Sequence, residues 1–307
     1  MKLVLTIVAA TEGGLTAGMV ERLRAALTSP VLTPGPADWL APGRAADLPL
    51  EAAEAVKGNV VPQSLARQVD GLAERLGLGP VDLALLPAAG RRKRLLLADM
   101  DSTIVTAETL DEMAGRLGLK DEIAAITARA MAGELDFESA LRKRVGMLKG
   151  LPESAIAETL GEIVLSPGAE TLVRTMAAHG AHTILVSGGF TDFTEAVAAR
   201  AGFREHRANV LERADGRLTG QVREPILGRE AKDRTLRDAA DRLGLALSET
   251  LAVGDGANDA EMIRHAGLGV GYRPKPLLRQ VADACILHGD LTTLLYFQGF
   301  RRADFAD

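Results

Sequence analysis

The sequence has few of the features that mark secreted, membrane-spanning or nucleic-acid-binding proteins. Cys285 is the only cysteine among 307 residues, so no disulfide can form within the chain, which suits a reducing, cytoplasmic setting. No stretch reaches the ~18 uninterrupted apolar residues of a membrane helix, so we expect a soluble protein. The apolar start, residues 1–10, is short and lacks a persuasive cleavage context. It therefore predicts a first strand instead of a signal peptide.

No single sign of charge dominates the chain either. The net charge is −5 at pH 7, so there is no overall basic field that would attract nucleic acid. The one basic cluster, residues 91–94, stands directly before an apolar strand, where four charges usually form a solvated boundary. The composition, with 47% hydrophobic and 25% charged residues, is that of an ordinary globular protein, and the length favours two domains.

The first ninety residues differ in pattern from the rest of the chain. Five prolines within residues 30–49 predict a long irregular connection. We expect a small α+β domain over residues 1–90, with no catalytic constellation of its own, joined to the rest by residues 88–94. The predicted elements are strands at 3–10 and 81–86 and helices at 16–27 and 65–76.

From residue 91 to residue 307, strands and helices alternate. Leu95–Ala98 is a continuous apolar run, as expected for a strand buried on both faces of a parallel sheet. Repeated β–α units predict an α/β, doubly wound parallel sheet. Residues 108–165 carry helix patterns and no convincing strand, so we expect a helical cap inserted above the carboxyl edge, where such sheets bind ligands. Further elements are predicted as strands at 183–186, 251–253, 268–270 and 284–287, helices at 172–178, 193–201 and 229–243, and a hairpin at 208–222.

Two acidic residues, Asp99 and Asp101, directly follow the first strand of this second domain. Carboxylates two residues apart at a strand end can converge on one metal ion, and Mg²⁺ prefers such oxygen ligands. Taken alone, a pair of this kind is also common in polar loops that are capped by a residue such as Ser102 or Thr103.

Two weaker signals follow later in the chain. Ser187-Gly188-Gly189 comes after a predicted strand, where a hydroxyl and free backbone N–H groups can hold a phosphate oxygen. Glycine pairs also serve simply to turn the chain. Lys232, near the start of a helix, can neutralise phosphoryl charge, although a single lysine on a helix is usually solvated.

The strongest signal is the dense polar run Gly254–Asp259, between a strand and a helix. Asp255 leaves its strand toward the same sheet edge and can complete a metal site. Helix capping explains Asn258 or Asp259 but not the whole run. Together the signals predict phosphoryl transfer with a carboxylate nucleophile, helped by a metal ion and a lysine that neutralise charge.

The order of these motifs, D-x-D-S-T, then S-G-G, then K, then G-D-G-x-N-D, resembles the haloacid dehalogenase (HAD) phosphatases. Two further stretches, Asp99–Val105 with Glu108 and Met131–Val145, resemble the members of that family that hydrolyse O-phosphoserine. The resemblance covers about residues 90–295 and implies a HAD-like Rossmannoid core. Residues 1–90 are only loosely similar to the regulatory, ACT-like domain of some bacterial members.

The resemblance implies a role for each residue of the catalytic centre. Asp99 attacks phosphorus, while Asp101 protonates the leaving oxygen and then activates water. The Mg²⁺ ligands are the carboxylates of Asp99 and Asp255 and the backbone carbonyl of Asp101. Phosphoryl oxygens are held by Ser187, the Gly188 backbone N–H and Lys232. Asn258 supports the phosphate site, and Asp259 supports the metal or Lys232.

The resemblance also assigns the substrate contacts of the cap. Glu108 meets the substrate ammonium and Arg144 its carboxylate, because the planar guanidinium matches a carboxylate with two parallel hydrogen bonds. Met131 and Phe137 close the apolar side. Judged from the residues alone, Glu108 could instead be a first-turn acid favoured by the helix dipole, and Arg144 part of a solvated face.

The implied activity is Mg²⁺-dependent hydrolysis of O-phosphoserine to serine and phosphate through an aspartyl-phosphate, the last step of serine biosynthesis. A phosphatase or phosphotransferase for another small amino-acid phosphate, such as phosphothreonine, is an alternative, because a methylene changes affinity by only about 1–3 kcal/mol. An amino-acid-sensing regulatory protein that works through residues 1–90 is an alternative of another class. We expect a small-molecule substrate, no nucleic acid, no membrane, and a homodimer.

Overall fold

The computed structural model describes residues 2–30, 32–52, 69, 71–131 and 134–306, with the side chains of Met131 and Arg229 outside the description. The first part of the chain folds into an antiparallel sheet with helices packed on it. Its elements are β1 (Lys2–Ala9), α1 (Ala17–Leu27), β2 (Leu32–Pro34), β3 (Asp38–Ala41), β4 (Ala45–Ala52), α2 (Leu72–Arg75) and β5 (Val81–Pro87).

The strand order of this sheet is β2-β4-β1-β5, and β3 also pairs with β4. The apolar side chains of β1 that face α1, such as Leu5 and Ile7, share one buried cluster with Val20 and Leu23 of that helix. Helix α1 begins after Thr16, whose side chain accepts a hydrogen bond from the backbone N–H of Met19, as an N-cap residue does. The predicted strands at 3–10 and 81–86 and the helix at 16–27 are confirmed.

The irregular connection predicted for residues 30–49 is wrong, because β2, β3 and the start of β4 lie there. Prolines fit these short strands at positions that need no N–H donor. Pro34 is the last residue of β2, and Pro49 lies in β4 with its carbonyl accepting from Gly35, just past the end of β2. Proline therefore does not exclude a strand here, since Pro34 ends β2 and Pro49 lies within β4. The helix predicted at residues 65–76 lies partly outside the described residues, and its last part contains α2.

The rest of the chain forms a parallel sheet with an insertion and flanking helices. In chain order the elements are β6 (Leu95–Asp99), α3 (Thr109–Gly115), α4 (Lys120–Met131), α5 (Phe137–Met147), α6 (Ser154–Glu162), α7 (Ala169–Ala178), β7 (His182–Phe190), α8 (Thr191–Ala201), β8 (Glu205–Asn209), β9 (Leu211–Ala214), β10 (Arg217–Val222), α9 (Arg229–Leu243), β11 (Thr250–Gly254), α10 (Ala260–His265), β12 (Leu268–Tyr272), α11 (Pro276–Arg279), β13 (Ala284–Ile286) and α12 (Thr293–Phe297).

Six parallel strands form the second sheet in the order β13-β12-β11-β6-β7-β8, so the predicted doubly wound α/β architecture is confirmed. Alternate residues of β6 enter different cores. Leu95 and Leu97 pack with Leu236 of α9, while Leu96 and Ala98 belong to the core that contains α7 and α8. Because β6 is central and covered on both faces, its sequence is continuously apolar.

Helices α3 to α6 lie between β6 and β7 in sequence and form the predicted cap. The chain enters and leaves the cap side by side, since Val105 and Leu165 form an antiparallel bridge. The predicted hairpin is formed by β9 and β10, and its turn residues Asp215 and Gly216 have φ of 50° and 71°, as a tight two-residue hairpin requires.

The basic cluster at residues 91–94 joins parts of the molecule through ion pairs and hydrogen bonds. Arg91 pairs with Asp47 of β4 at 2.6 Å and donates to the carbonyl of Phe297 in α12. Arg92 and Arg94 form ion pairs with acidic residues, at 3.0 and 2.9 Å, and Lys93 donates to a backbone carbonyl. Among the described residues, no helix is long and apolar enough to cross a membrane.

Candidate active site

Three buried polar side chains meet at the carboxyl edge of the parallel sheet. Asp99 ends β6, Ser187 lies in the last part of β7, and Asp255 directly follows β11. Because β6 pairs with both β7 and β11, the three side chains leave neighbouring strands at the same level. Each is at most 4% exposed, so the polar edge is largely shielded from water.

A buried lysine links two of the carboxylates at this edge. The Nζ of Lys232 lies 2.7 Å from Asp99 Oδ1 and 2.6 Å from Asp259 Oδ1. Burial raises the pKa of Asp99, the charge of Asp259 adds to this, and Lys232 opposes it. Burial acts to lower the pKa of Lys232, but Asp259 and Asp99 outweigh burial and raise it. Lys232 therefore carries a fixed positive charge beside Asp99.

Asp259 also shapes the loop that carries Asp255. Its second oxygen accepts hydrogen bonds from the backbone N–H groups of Asp255 and Gly256, at 3.1 and 3.0 Å. A Cβ on Gly254 would lie only 2.4 Å from the Asp259 carboxyl carbon, so the close approach requires glycine. Residues 254–259 thus form one loop, in which the Asp259 carboxylate binds the backbone N–H groups of the loop with one oxygen and Lys232 with the other.

The carboxylates of Asp99, Asp255 and Asp259 form a group that suits a divalent cation. One oxygen from each lies within 4.8 Å of the others. Burial and the charge of Asp259 raise the pKa of Asp255, while Lys275, whose Nζ is 3.1 Å from Asp255 Oδ2, opposes this. The buried Oδ1 of Asn258 has no hydrogen-bond partner among the described residues. Clustered carboxylates with an unpaired amide oxygen are the donors that hard cations prefer.

The Asp101 carboxylate is held between the cap and the sheet edge. One of its oxygens accepts from the backbone N–H of Thr109 at 2.8 Å, at the start of α3. The other accepts from Ser187 Oγ at 2.9 Å. The turn passes through Ser102, which has φ of 55°. The Asp101 carboxylate is not in the three-carboxylate group, so a metal role for this residue rests on its backbone carbonyl.

Glu108 stands at the cap entrance, directly before α3. Its Oε1 accepts a hydrogen bond from Ser102 Oγ at 2.8 Å. Burial and the nearby charge of Asp101 raise the pKa of Glu108 to about 7, although Ser102 and Lys275 oppose the change. Because this pKa lies near neutral pH, a cation placed beside Glu108 would stabilise its ionised form.

Arg144 approaches the same space from α5 and is 8% exposed. Its Nε donates to the carbonyl of Ala140 at 3.3 Å, and its Nη1 donates to Thr127 Oγ1 at 3.0 Å. In the part of the chain that the structure describes, Nη2 has no acceptor. A guanidinium that lines the cavity with one nitrogen unpaired can bind an anionic group there.

These residues line one cavity of about 80 Å³ between the cap and the sheet edge. Phe137, the first residue of α5, covers Gly188 so closely that a Cβ on that glycine would lie 2.9 Å from the Phe137 ring. Sequence-predicted residues on the wall are Asp99, Asp101, Glu108, Phe137, Arg144, Gly188, Asp255 and Asn258. Ser187 and Lys232 lie behind it, in contact with Asp101 and Asp99. The side chain of Met131 lies outside the described residues.

A family comparison identifies the parallel-sheet part of the chain. The model of the haloacid dehalogenase-like hydrolase family matches residues 96–264. The chain belongs to the haloacid dehalogenase-like hydrolases. The matched residues run from β6 to α10 and include the cap and the polar sheet edge.

Individual relatives agree with this assignment. A phosphoserine phosphatase of Streptomyces coelicolor is 41% identical over 263 residues, which is 85% of this chain and 63% of that protein. This chain therefore spans somewhat less than two thirds of that relative's length. A HAD family hydrolase of Salmonella enterica has a similar structure, with a TM-score of 0.82, 30% identity, and 96% and 98% of the two chains covered. A phosphoserine phosphatase solved as a phospho-aspartyl intermediate analogue has a TM-score of 0.64 and 40% identity, covering 67% and 99%.

The structure of this HAD-like hydrolase adds residues that sequence reasoning missed. Thr109 and Thr127 line the cavity, and the buried Thr109 Oγ1 has no partner among the described residues. Asp111 accepts a hydrogen bond from Thr127, and Lys275 pairs with Asp255. Single threonines and acids on helices carry no distinctive sequence signal, because their meeting depends on how the cap helices pack on each other and on the sheet.

Proposed function

We propose that this chain hydrolyses O-phosphoserine to serine and inorganic phosphate, as the last step of serine biosynthesis. The observation that carries the proposal is the pattern of charge around one cavity. Lys232 and the carboxylate group lie at the sheet edge, while Glu108 and the unpaired edge of Arg144 face the same space from the cap. This pattern complements a small molecule with a phosphate, an ammonium and a carboxylate. The names of the phosphoserine phosphatase relatives support the same substrate.

In the proposed first step, a carboxylate oxygen of Asp99 attacks phosphorus and the bond from phosphorus to the serine oxygen breaks. Asp101 donates a proton to that oxygen, so serine leaves as a neutral alcohol. The hydrogen bonds that Asp101 accepts from Ser187 and from the backbone of Thr109 hold its carboxyl group between the sheet edge and the cap, where the leaving group would lie. Positioned proton transfer of this kind typically contributes about 10²–10⁴ in rate.

In the second step, water attacks the phosphorus of the aspartyl-phosphate. Asp101 accepts a proton from this water, and the bond between phosphorus and the Asp99 oxygen breaks. Asp101 therefore ends each turnover protonated again, and Asp99 is restored as a carboxylate. The cap shields the intermediate from stray water between the two steps.

Phosphoryl oxygens would be held by Ser187, the backbone N–H of Gly188, Lys232 and Asn258. Fixed donors and a fixed positive charge lower the barrier because phosphoryl transfer depends mainly on positioning and charge neutralisation. We propose that Mg²⁺ binds to Asp99, Asp255 and the Asp101 backbone carbonyl, with Asp259 in support, and supplies charge neutralisation and alignment of the phosphoryl group. The close carboxylates and the unpaired Asn258 oxygen fit such an ion.

The cap would select the amino-acid part of the substrate. Glu108 pairs with the ammonium, Arg144 binds the carboxylate through its free edge, and Phe137 covers the apolar side together with Met131. Charged contacts of this kind discriminate strongly, since a substrate that lacks one group leaves a buried charge unpaired.

We also propose that the domain boundary lies near residue 90 and that the N-terminal domain is ACT-like. The order β2-β4-β1-β5, with helices after β1 and before β5, supports the second point. A cytoplasmic location and a homodimer complete the proposal; the single cysteine suits the first of these.

The proposal is tested by measuring phosphate release from O-phosphoserine with Mg²⁺ and with EDTA, for the wild type and for Asp99→Asn. We expect metal-dependent turnover that the variant loses. A panel with phosphothreonine, phosphohomoserine and p-nitrophenyl phosphate separates substrate from chemistry. Metal-dependent turnover of p-nitrophenyl phosphate without turnover of phosphoserine would retain the catalytic centre and refute the proposed substrate.

A further inference from the structure

A chain of hydrogen bonds that begins at the cap wall of the cavity connects three helices of the cap. Arg144 of α5 donates from Nη1 to Thr127 Oγ1 at 3.0 Å. The Thr127 hydroxyl, on α4, lies 3.0 Å from Asp111 Oδ1, on α3, and 3.1 Å from the carbonyl of Ile123. Arg144, Thr127 and Asp111 are 8%, 5% and 7% exposed. The Arg144 guanidinium and the Asp111 carboxylate are therefore connected by hydrogen bonds through the buried hydroxyl of Thr127.

The direction of the hydrogen bond between Arg144 and Thr127 is fixed by chemistry. A guanidinium can only donate, so Thr127 Oγ1 must accept from Arg144. The single hydroxyl hydrogen of Thr127 then has two acceptors within reach, Asp111 Oδ1 and the carbonyl of Ile123, and the charged carboxylate is the stronger of the two. Burial raises the pKa of Asp111, while Thr127 and the charge of Arg144 oppose this.

A purely structural role does not account for the free edge of Arg144. Burying an acid and a base is a weak means of stabilising a fold, because desolvation offsets their attraction. Here Asp111 and Arg144 do not even touch directly, and no side chain in the described part of the molecule accepts from Arg144 Nη2. These hydrogen bonds instead fix the plane of the Arg144 guanidinium, because Nε donates to the carbonyl of Ala140 and Nη1 donates to Thr127.

We propose that Asp111 and Thr127 are positioning residues, which hold the Arg144 guanidinium so that its free edge faces the substrate carboxylate. This inference rests on the proposed function. Arginine has a long flexible side chain, and ordering it during binding weakens affinity. With the side chain already ordered, more of the energy of the two parallel hydrogen bonds appears as affinity and as discrimination against substrates without a carboxylate.

The test compares Asp111→Asn and Thr127→Val with Asp121→Asn, an acid-to-amide control at an exposed position of the cap. KM and kcat are measured for O-phosphoserine and for O-phosphoethanolamine, which lacks the carboxylate. We expect both test variants to raise KM for phosphoserine about tenfold. Thr127→Val removes the acceptor of the Arg144 hydrogen bond, and Asp111→Asn replaces the charged acceptor of the Thr127 hydroxyl by a neutral one. For Asp111→Asn, a residue that is not among those lining the cavity, turnover of phosphoethanolamine should stay within about twofold of the wild type, because Arg144 has no partner in that substrate.

Two further variants keep the result interpretable if folding is disturbed. Thr127→Ser restores the hydroxyl and should return KM to near the wild-type value. Adding Asp111→Asn to Arg144→Ala should cause no further loss with phosphoserine, since the residue to be positioned is gone.

The possible failures can be told apart. A wild type that prefers phosphoserine, with Asp111→Asn and Thr127→Val unchanged or equally impaired on both substrates, overturns this inference alone. An additional loss in the double variant also overturns it. A wild type that treats phosphoserine and phosphoethanolamine alike overturns the proposed function at the cap, and this inference with it.

Discussion

Replacing Glu108 by glutamine should make the metal-free protein more stable at pH 8 while weakening substrate binding. The carboxylate of Glu108 is partly buried before α3, close to Asp101, and its pKa is raised to about 7. Glutamine has nearly the same shape and can still accept the hydrogen bond of Ser102 through its amide oxygen. The substitution therefore removes a charge with little change in packing.

The direction and size of the effect follow from the raised pKa. In the unfolded chain this carboxyl group ionises near its ordinary pKa of 4.5, so folding favours the protonated form between pH 4.5 and 7. The cost of the buried charge is small near pH 4.5, grows as the pH rises, and is complete above pH 7. Each pKa unit corresponds to about 1.4 kcal/mol, and partial exposure of Glu108 reduces the total. We expect a gain of about 2 kcal/mol at pH 8.

Urea unfolding in EDTA at pH 5, 6, 7 and 8 measures this gain for the wild type and Glu108→Gln. Glu138→Gln, at an exposed position of the same cap, is the matched control and should change stability by less than about 0.5 kcal/mol. The difference between Glu108→Gln and the wild type should shrink as the pH falls toward 5. Equal stabilities at pH 8, or a gain independent of pH, would show that Glu108 is not held in a raised-pKa state.

Three other predictions concern the site and the fold. The wild-type KM for O-phosphoserine should rise as the pH falls from 8 to 6, because Glu108 gains a proton near pH 7 and loses its attraction for the ammonium; a KM that stays constant contradicts this. Lys232→Met should lower the free energy of unfolding by about 3 kcal/mol, since Asp99 and Asp259 lose their shared cation, and urea titration measures this change. The same variant should slow phosphate release at least about 10³-fold. Steady-state kinetics measure the rate, and retention of a tenth of the activity contradicts the role of Lys232. Asp82→Ala should lower the free energy of unfolding by about 2–3 kcal/mol and leave kcat unchanged. The reason is that Asp82 accepts hydrogen bonds from the backbone N–H groups of Leu287, His288 and Gly289 at 2.8–3.1 Å. A fall in kcat for fully folded protein contradicts a purely structural role.

The parallel sheet could be predicted from the sequence because burial on both faces leaves a strong signal. The strand Leu95–Ala98 is continuously apolar and is followed at once by Asp99, and the strand before Asp255 has the same character. In a parallel sheet such strands end at one edge, so the grouping of Asp99, Ser187 and Asp255 followed from strand assignment alone. The resemblance to the HAD phosphatases then supplied the roles and the cap residues.

The parts that could not be predicted depend on contacts between distant elements. Residues 30–49 form short strands whose pairing with β1 and β4 outweighs the proline content, and no local pattern reveals that pairing. The buried chain from Asp111 through Thr127 to Arg144 depends on how three cap helices pack. Likewise, the ion pairs of Lys232 with Asp99 and Asp259 join residues that are far apart in sequence, and a single helical lysine predicts no such contact.

The most direct test of the account is to trap the phosphorylated enzyme. Wild-type protein and Asp99→Asn are mixed with phosphate-labelled O-phosphoserine and Mg²⁺, quenched in acid within the first turnover, and digested for peptide mass spectrometry. The account predicts label on the peptide that contains Asp99 in the wild type and none in the variant. Rapid turnover by the wild type without any labelled peptide, or label on a different acidic residue, would contradict Asp99 as the nucleophile.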